Sequence, residues 1–137
     1  MTKRDKDRYQ ETRRLQNAGV GVDTSDVVRF NSGSESYPHF ITKSTVAYLG
    51  QLNGYFVECE ATTNRGEIDC LLYHPERRNI AVEVETGWTE DVKEDKLSRY
   101  VHQQEGIDDM WMLEVLEKPQ TDMETLKWIC EQTGLKP

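Results

Sequence analysis

Gly66-Glu67-Ile68-Asp69-Cys70-Leu71-Leu72-Tyr73, followed by Ile80-Ala81-Val82-Glu83-Val84-Glu85, is the stretch that decides how this chain folds. Each half reads as a strand, on which side chains alternate between two faces with a period of two. Glu67 and Asp69 therefore share one face of the first strand, with Ile68, Cys70 and Leu72 on the other. Glu83 and Glu85 share one face of the second, opposite Ile80, Val82 and Val84. If the two strands are neighbours, about 4.8 Å apart, up to four carboxylates converge on one patch. That much like charge is hard to hold without a cation, and Mg²⁺ or Mn²⁺ takes oxygen ligands of this kind.

Working outward, the polar turn His74–Asn79 joins these two strands. Tyr55 to Ala61 alternates as a further strand, joined to the first by the turn Asn64-Arg65-Gly66. Upstream, Ser36 caps and Tyr37-Pro38 opens a helix that carries Phe40, Ile41, Ala47, Tyr48 and Leu52 at helical spacing. Asn53-Gly54 ends it, and Glu35, His39 and Lys43 form one polar stripe at or near its start.

Downstream, Thr86-Gly87 breaks the strand, and Thr89 caps a helix whose inward stripe is Val92, Leu97, Tyr100 and Val101, ended by Gly106. Met110 to Leu116 is nearly continuously apolar, as a buried parallel strand after a crossover helix should be. Thr121 to Gln132 is a last amphipathic helix, closed by Gly134. The order is helix, three strands, helix, strand, helix. It predicts an α/β fold in which an antiparallel three-stranded meander is joined by a parallel fourth strand, with helices on both faces of the mixed sheet.

The chain has 137 residues, the size of one domain. Residues 1–33 read as a basic and polar N-terminal arm, either a solvated helix or a mobile segment, with Val27 to Phe30 as a short extended piece and Asn31 to Ser34 as a turn. Residues 34–137 read as the folded domain. No apolar run is long enough to cross a membrane and no signal-peptide core is visible. Cys59, Cys70 and Cys130 are odd in number, lack any C-x-x-C pair, and read as reduced thiols of a cytoplasmic protein.

The net charge of −8 predicts long-range repulsion from nucleic acid, which bound divalent metal and a local basic patch would offset. The same excess of Asp and Glu fits a halophilic surface. The sequence has no Ser/His or Cys/His nucleophile pattern, no Gly-rich phosphate loop and no zinc spacing.

The element order, with Asp69 on one strand and Glu83-Val84-Glu85 on the next, resembles the PD-(D/E)XK nuclease superfamily. That superfamily includes restriction-type endonucleases, archaeal Holliday-junction resolvases and RecB-type nuclease domains. The likeness spans about Glu35 to Gly134. Gly66-Glu67-Ile68-Asp69 matches the first half of the motif, the thirteen residues between Asp69 and Glu83 match the spacer, and Glu83-Val84-Glu85 matches the second half. Glu85 stands where the family usually has lysine, as in some of its restriction enzymes.

The resemblance implies a restriction-endonuclease-like αβββαβ core and a Mg²⁺- or Mn²⁺-dependent deoxyribonuclease, endo- or exonucleolytic. Asp69, Glu83 and Glu35 would hold the metal. Glu85 would take a proton or hold a second ion. The run from Thr86-Gly87 to Lys96 and Tyr100 is similar to a RecB-type pattern in which Lys96 replaces glutamine, so Lys96 or Lys93 would supply the missing ammonium. Lys43, His39, Arg65 and Trp88 would contact nucleic acid. One site per chain implies a homodimer wherever two strands are cut, and no sequence-reading module points to structure-selective or nonspecific cleavage of DNA, branched or nicked DNA included.

Other readings stay open on the residues themselves. The carboxylates could line a solvated sheet face, an acidic trend that Glu58 and Glu60 continue. The fold could also carry a catalytically inactive nucleic-acid-binding or scaffold domain, or an interaction module that uses its tryptophans.

Overall fold

Four strands form one mixed sheet in the order β1-β2-β3-β4, where β1 is Phe56–Thr63, β2 Gly66–Tyr73, β3 Ile80–Glu85 and β4 Asp109–Glu114. The computed structural model describes residues 2–24, 28, 35–85, 87, 89–115 and 118–137. β1, β2 and β3 pair antiparallel, and β4 returns to run parallel to β3. This is the predicted meander with one crossover. Trp88, Thr86, Leu116, the turn at 31–34 and most of the predicted extended piece at 27–30 lie outside the described residues.

Helices cover both faces. On one face α2 (Tyr37–Leu52) and α4 (Asp122–Thr133) bury Val46, Leu49, Trp128 and Ile129 against Val57, Cys59, Cys70, Leu72 and Val82. On the other, Leu15 of α1 (Lys3–Asn17), with Val20, Tyr100 and Ile107, packs on Phe56, Leu71, Tyr73 and Ala81. Ser36 accepts from the His39 amide to cap α2 and Thr89 from the Val92 amide to cap the helix after it, as predicted, while Thr121 caps α4 from outside it and is not its first residue.

The N-terminal segment differs from the expected arm. Thr2 and Asp5 form a capping box that starts α1. The buried Glu11 carboxylate pairs with Arg14 and accepts from Asn79 at 2.6 Å, and Leu15 is wholly buried. One apolar residue, placed on the inner side of a polar helix, is enough to dock it. Behind it Gly21 donates to the Thr62 carbonyl at 2.7 Å, so close that a Cβ on Gly21 would stand 2.2 Å from the Thr62 hydroxyl.

Two further elements depart from expectation. The helix after Thr89 is not continuous: α3 (Glu90–Leu97) opens into a π-helical turn, Ser98–His102, in which Gln103 donates to the Ser98 carbonyl at 2.8 Å. Tyr100 is thereby buried, whereas Val92, assigned to the inward stripe, is exposed. β4 is the edge of the sheet and therefore only half-buried, with Leu113 as its buried member.

Candidate functional site

The site begins where β2 lets go of both neighbours. Its ladder to β1 keeps a single register from Phe56↔Tyr73 to Thr63↔Gly66 but lacks the step between Glu60 and Asp69. Its ladder to β3 runs through Leu72↔Ile80 and Leu71↔Ala81 and stops at Cys70↔Val82. Side chains then take over from the backbone. The Asp69 N–H donates to Glu83 Oε2 at 3.0 Å, and the Val84 N–H donates to Asp69 Oδ2 at 2.8 Å. Each carboxylate thus satisfies a strand amide that the splayed ladder leaves without a carbonyl. The face alternation read from the sequence fails here too: Ile68 packs with Leu71 and Tyr73, not with Cys70 and Leu72.

From the α2 side, His39 Nε2 stands 3.6 Å from Asp69 Oδ2, while its Nδ1 lies 2.6 Å from Glu35. Glu35 is also bonded by Lys43 Nζ, 2.9 Å from Oε1 and 2.8 Å from Oε2. Lys43, with a wholly buried side chain, reaches on to Glu60 at 3.3 Å. From the other side, Lys96 of α3 lies 3.2 Å from Glu85 and 3.7 Å from Glu83. The result is one line of charge across the end of the sheet: Glu60, Lys43, Glu35, His39, Asp69, Glu83, Lys96, Glu85. Five carboxylates face three bases. Tyr100 closes the floor by donating to the Glu67 carbonyl at 3.2 Å, against a Gly66 whose φ of +134° and missing Cβ leave room for its hydroxyl.

Burial, together with the Asp69 charge beside it, pushes the Glu83 carboxyl up to about 8, against the opposing pull of Lys96. Asp69 is held below the ordinary range: burial opposes this, but the His39 bond, the Val84 amide and a hydrogen bond with Glu83 outweigh it. The two charges are coupled, so the pair titrates as a unit, with Glu83 the harder of the two to ionise. Hydrogen bonding to Asp69, with the Asp69 and Glu35 charges, raises His39 to about 9 in spite of its burial, so it is an imidazolium. Lys43 and Lys96 stay charged despite burial, through Glu35 for the first and through Glu83 and Glu85 for the second.

Asp69, Glu83, Glu85 and Lys96 come together as predicted. Glu67 does not: it is exposed at the hairpin end, beyond the point where the alternation breaks. Glu35 is near but not adjacent to the Asp69–Glu83 pair, because His39 stands between them. Lys43, expected on a nucleic-acid surface, is an internal ion-pair partner. His39 likewise faces Asp69, not a solvated groove. Arg65 is exposed in the β1–β2 turn, where its carbonyl accepts from Arg99 at 3.5 Å. Trp88 lies outside the described residues.

Glu60, read as part of an acidic trend on a solvated face, and Tyr100, read as a member of the inward stripe and of the RecB-like run, are not counted among the site residues by residue-level reasoning. The signal available for the α2 residues was the spacing His39, Lys43, Val46, Gly50, one helical stripe on which Lys43 occupies a core position.

Among the described residues, no group of three or more His, Cys, Asp and Glu has the arrangement of a metal site. No helix among them is long and apolar enough to cross a membrane. A cavity of about 650 Å³, lined by Arg4, Arg8, Tyr55 and Phe56, lies at the other end of the sheet from Asp69. No family model, no curated protein and no solved structure matches the chain.

Proposed function

We propose that this protein is a divalent-metal-dependent phosphodiesterase acting on DNA, built on the PD-(D/E)XK pattern that its sequence resembles. The observation that carries the reading is the Asp69–Glu83 pair. Two carboxylates from splayed strands meet there, each accepting from a backbone amide of the other's strand, with a lysine 3.7 Å from the second. Burial and the Asp69 charge push the Glu83 carboxyl up to about 8, and a bound cation would relieve that repulsion.

The donor set fits a hard divalent ion. Mg²⁺ is satisfied by one or two carboxylates and several waters, so Asp69 and Glu83 suffice without a third acid. His39 would add a nitrogen ligand. Its Nε2 faces Asp69 while Nδ1 is oriented by Glu35, the arrangement in which metal-bound imidazoles are usually held. Glu35 then serves behind the first ligands and not among them. An imidazole ligand favours Mn²⁺ over Mg²⁺. When bound, the ion would polarise the phosphate and acidify an attacking water.

The chain's own groups supply the rest. The Lys96 ammonium, fixed between Glu83 and Glu85, would supply the charge that a strand lysine gives in the family and would orient the phosphate. Glu85, half exposed beside it, is placed to take the proton from the attacking water. Water adds to phosphorus and gives one proton to Glu85, the bond to the leaving oxygen breaks, and that oxygen takes a proton from solvent to leave as the alcohol. Arg65 and Arg99 at the hairpin end provide positive charge toward a backbone. Cleavage of both strands of a duplex would call for two copies of the chain.

A second reading has its own observation. His39, Lys43 and Lys96 already answer the carboxylates, so the line of charge could serve as a scaffold in an inactive nucleic-acid-binding domain. The discriminating experiment is a cleavage assay on labelled duplex, single-stranded, flap and four-way-junction DNA with Mn²⁺ or Mg²⁺, at low and high KCl. The proposal expects metal-dependent cutting that is lost in Asp69→Ala. Absence of cutting under every condition, with parent and variant binding DNA equally, would favour the scaffold.

A further inference from the structure

Glu60 is the anomaly of the sheet. It lies inside β1 with φ +54°, a conformation that residues with a side chain rarely adopt. It is also the β1 member of the one step missing from the β1–β2 ladder, directly across from Asp69. The register is the same on both sides of that step, so no residue has been inserted. The faces, however, are exchanged: Phe56 and Ala61, an odd number of residues apart, line the same core cluster, as do Ile68 and Leu71.

The side chain of Glu60 points to the same place by another route. It meets Lys43 at 3.3 Å, Lys43 holds Glu35, Glu35 holds His39 Nδ1, and His39 Nε2 faces Asp69. Glu60 is therefore related to Asp69 twice, as its opposite number at the missing ladder step and through a chain of three side chains from its carboxylate. An outlier that is bound on both counts to one residue is held there by the surrounding structure.

We propose that Glu60 is a positioning residue: its left-handed backbone withdraws Asp69 from the β1–β2 ladder, and its tie to Lys43 holds the α2 side of the site in register with that displaced carboxylate. This rests on the phosphodiesterase reading only for what the site holds. A regular β conformation at Glu60 would restore the missing step and turn Asp69 away from Glu83 and Val84.

The two parts separate by mutation. Glu60→Gly keeps the left-handed backbone and deletes the carboxylate, whereas Glu60→Val disfavours that backbone through its β-branched side chain. Circular dichroism first establishes that each variant folds. The readout in metal-free protein is hydrogen exchange at the Asp69 and Val84 amides, which donate to the Glu83 and Asp69 carboxylates. The second readout is Mn²⁺ affinity. Glu60→Val should lose about tenfold or more in protection at both amides and in Mn²⁺ affinity, and Glu60→Gly should stay within about threefold in amide protection.

Unchanged protection in a folded Glu60→Val would overturn the proposal. If Glu60→Val fails to fold, loss of amide protection in Glu60→Gly as well would overturn the backbone role. If the amides respond as expected but the parent binds no Mn²⁺, Glu60 positions the pair and the metal reading is what fails.

Discussion

Asp69 and Glu83 are chemically similar side chains pushed in opposite directions: His39 and the Val84 amide outweigh burial at Asp69, whereas burial and the Asp69 charge outweigh Lys96 and an amide at Glu83. At neutral pH, therefore, Glu83→Gln replaces a protonated acid with an amide of the same shape. The metal-free variant should melt at or above the parent temperature in calorimetry, while Mn²⁺ affinity falls by more than the ~10–100-fold that a supporting residue commonly costs. A matching fall in stability would show Glu83 to be an ionised structural partner.

Metal must also displace protons, from Glu83 near 8 and from His39 near 9. Mn²⁺ affinity should accordingly rise by about tenfold or more per unit between pH 6 and 8. Titration calorimetry in buffers of different ionisation heat would count the protons released. Lys96→Met should lower kcat by about 10²–10³ if its ammonium acts on developing charge, with Mn²⁺ binding retained.

At the scale of the element, α2 is anchored by a charge inside the fold. Lys43→Ala would leave Glu35 and Glu60 without the buried ammonium between them. Loss of one partner from a buried ion pair costs about 3–5 kcal/mol, to be read by urea denaturation. Gly66→Ala tests the other side. Its φ of +134° and a Cβ 2.6 Å from the Tyr100 hydroxyl predict destabilisation of about 1–3 kcal/mol and loss of the Tyr100 contact.

These elements also show what a sequence carries. The hairpin, the crossover and the caps at Ser36 and Thr89 were legible because alternation, turn residues and capping residues act locally. So was the meeting of Asp69, Glu83 and Glu85, since one shared edge of neighbouring strands suffices. The polar stripe of Glu35, His39 and Lys43 was legible but its burial was not, because a lysine in a core position reads as a solvated face until its partners are known. Glu60 was hidden for a similar reason: its φ is set by what surrounds it, and no feature of Glu58-Cys59-Glu60-Ala61 marks a break in the strand.

At the scale of the whole molecule, the raised carboxyls and His39 link stability to pH with one sign. Glu58 is raised to about 7 by burial and by Asp23, Glu83 to about 8 and His39 to about 9. Each binds its proton more tightly folded than unfolded, so each contributes less as pH rises through its folded value. Asp69 and Glu11, both lowered, are ionised in either state over this range and add no slope. Metal-free protein should lose melting temperature steadily from about pH 6 to 9, and saturating Mn²⁺ should restore most of it at the alkaline end. A melting temperature that rises with pH in chelator would mean that Glu83 and His39 are not protonated.

The net charge of −8 makes the local site charge decisive for any polyanionic substrate. The central claim is that the Asp69–Glu83 pair holds a divalent cation. Its most direct test is Mn²⁺ titration, followed by electron paramagnetic resonance at pH 8, of the parent and of Asp69→Asn. One ion per chain in the parent, lost in the variant and weakened in His39→Ala, is the predicted result. Absence of bound Mn²⁺ in the parent, or binding that Asp69→Asn leaves intact, would contradict it.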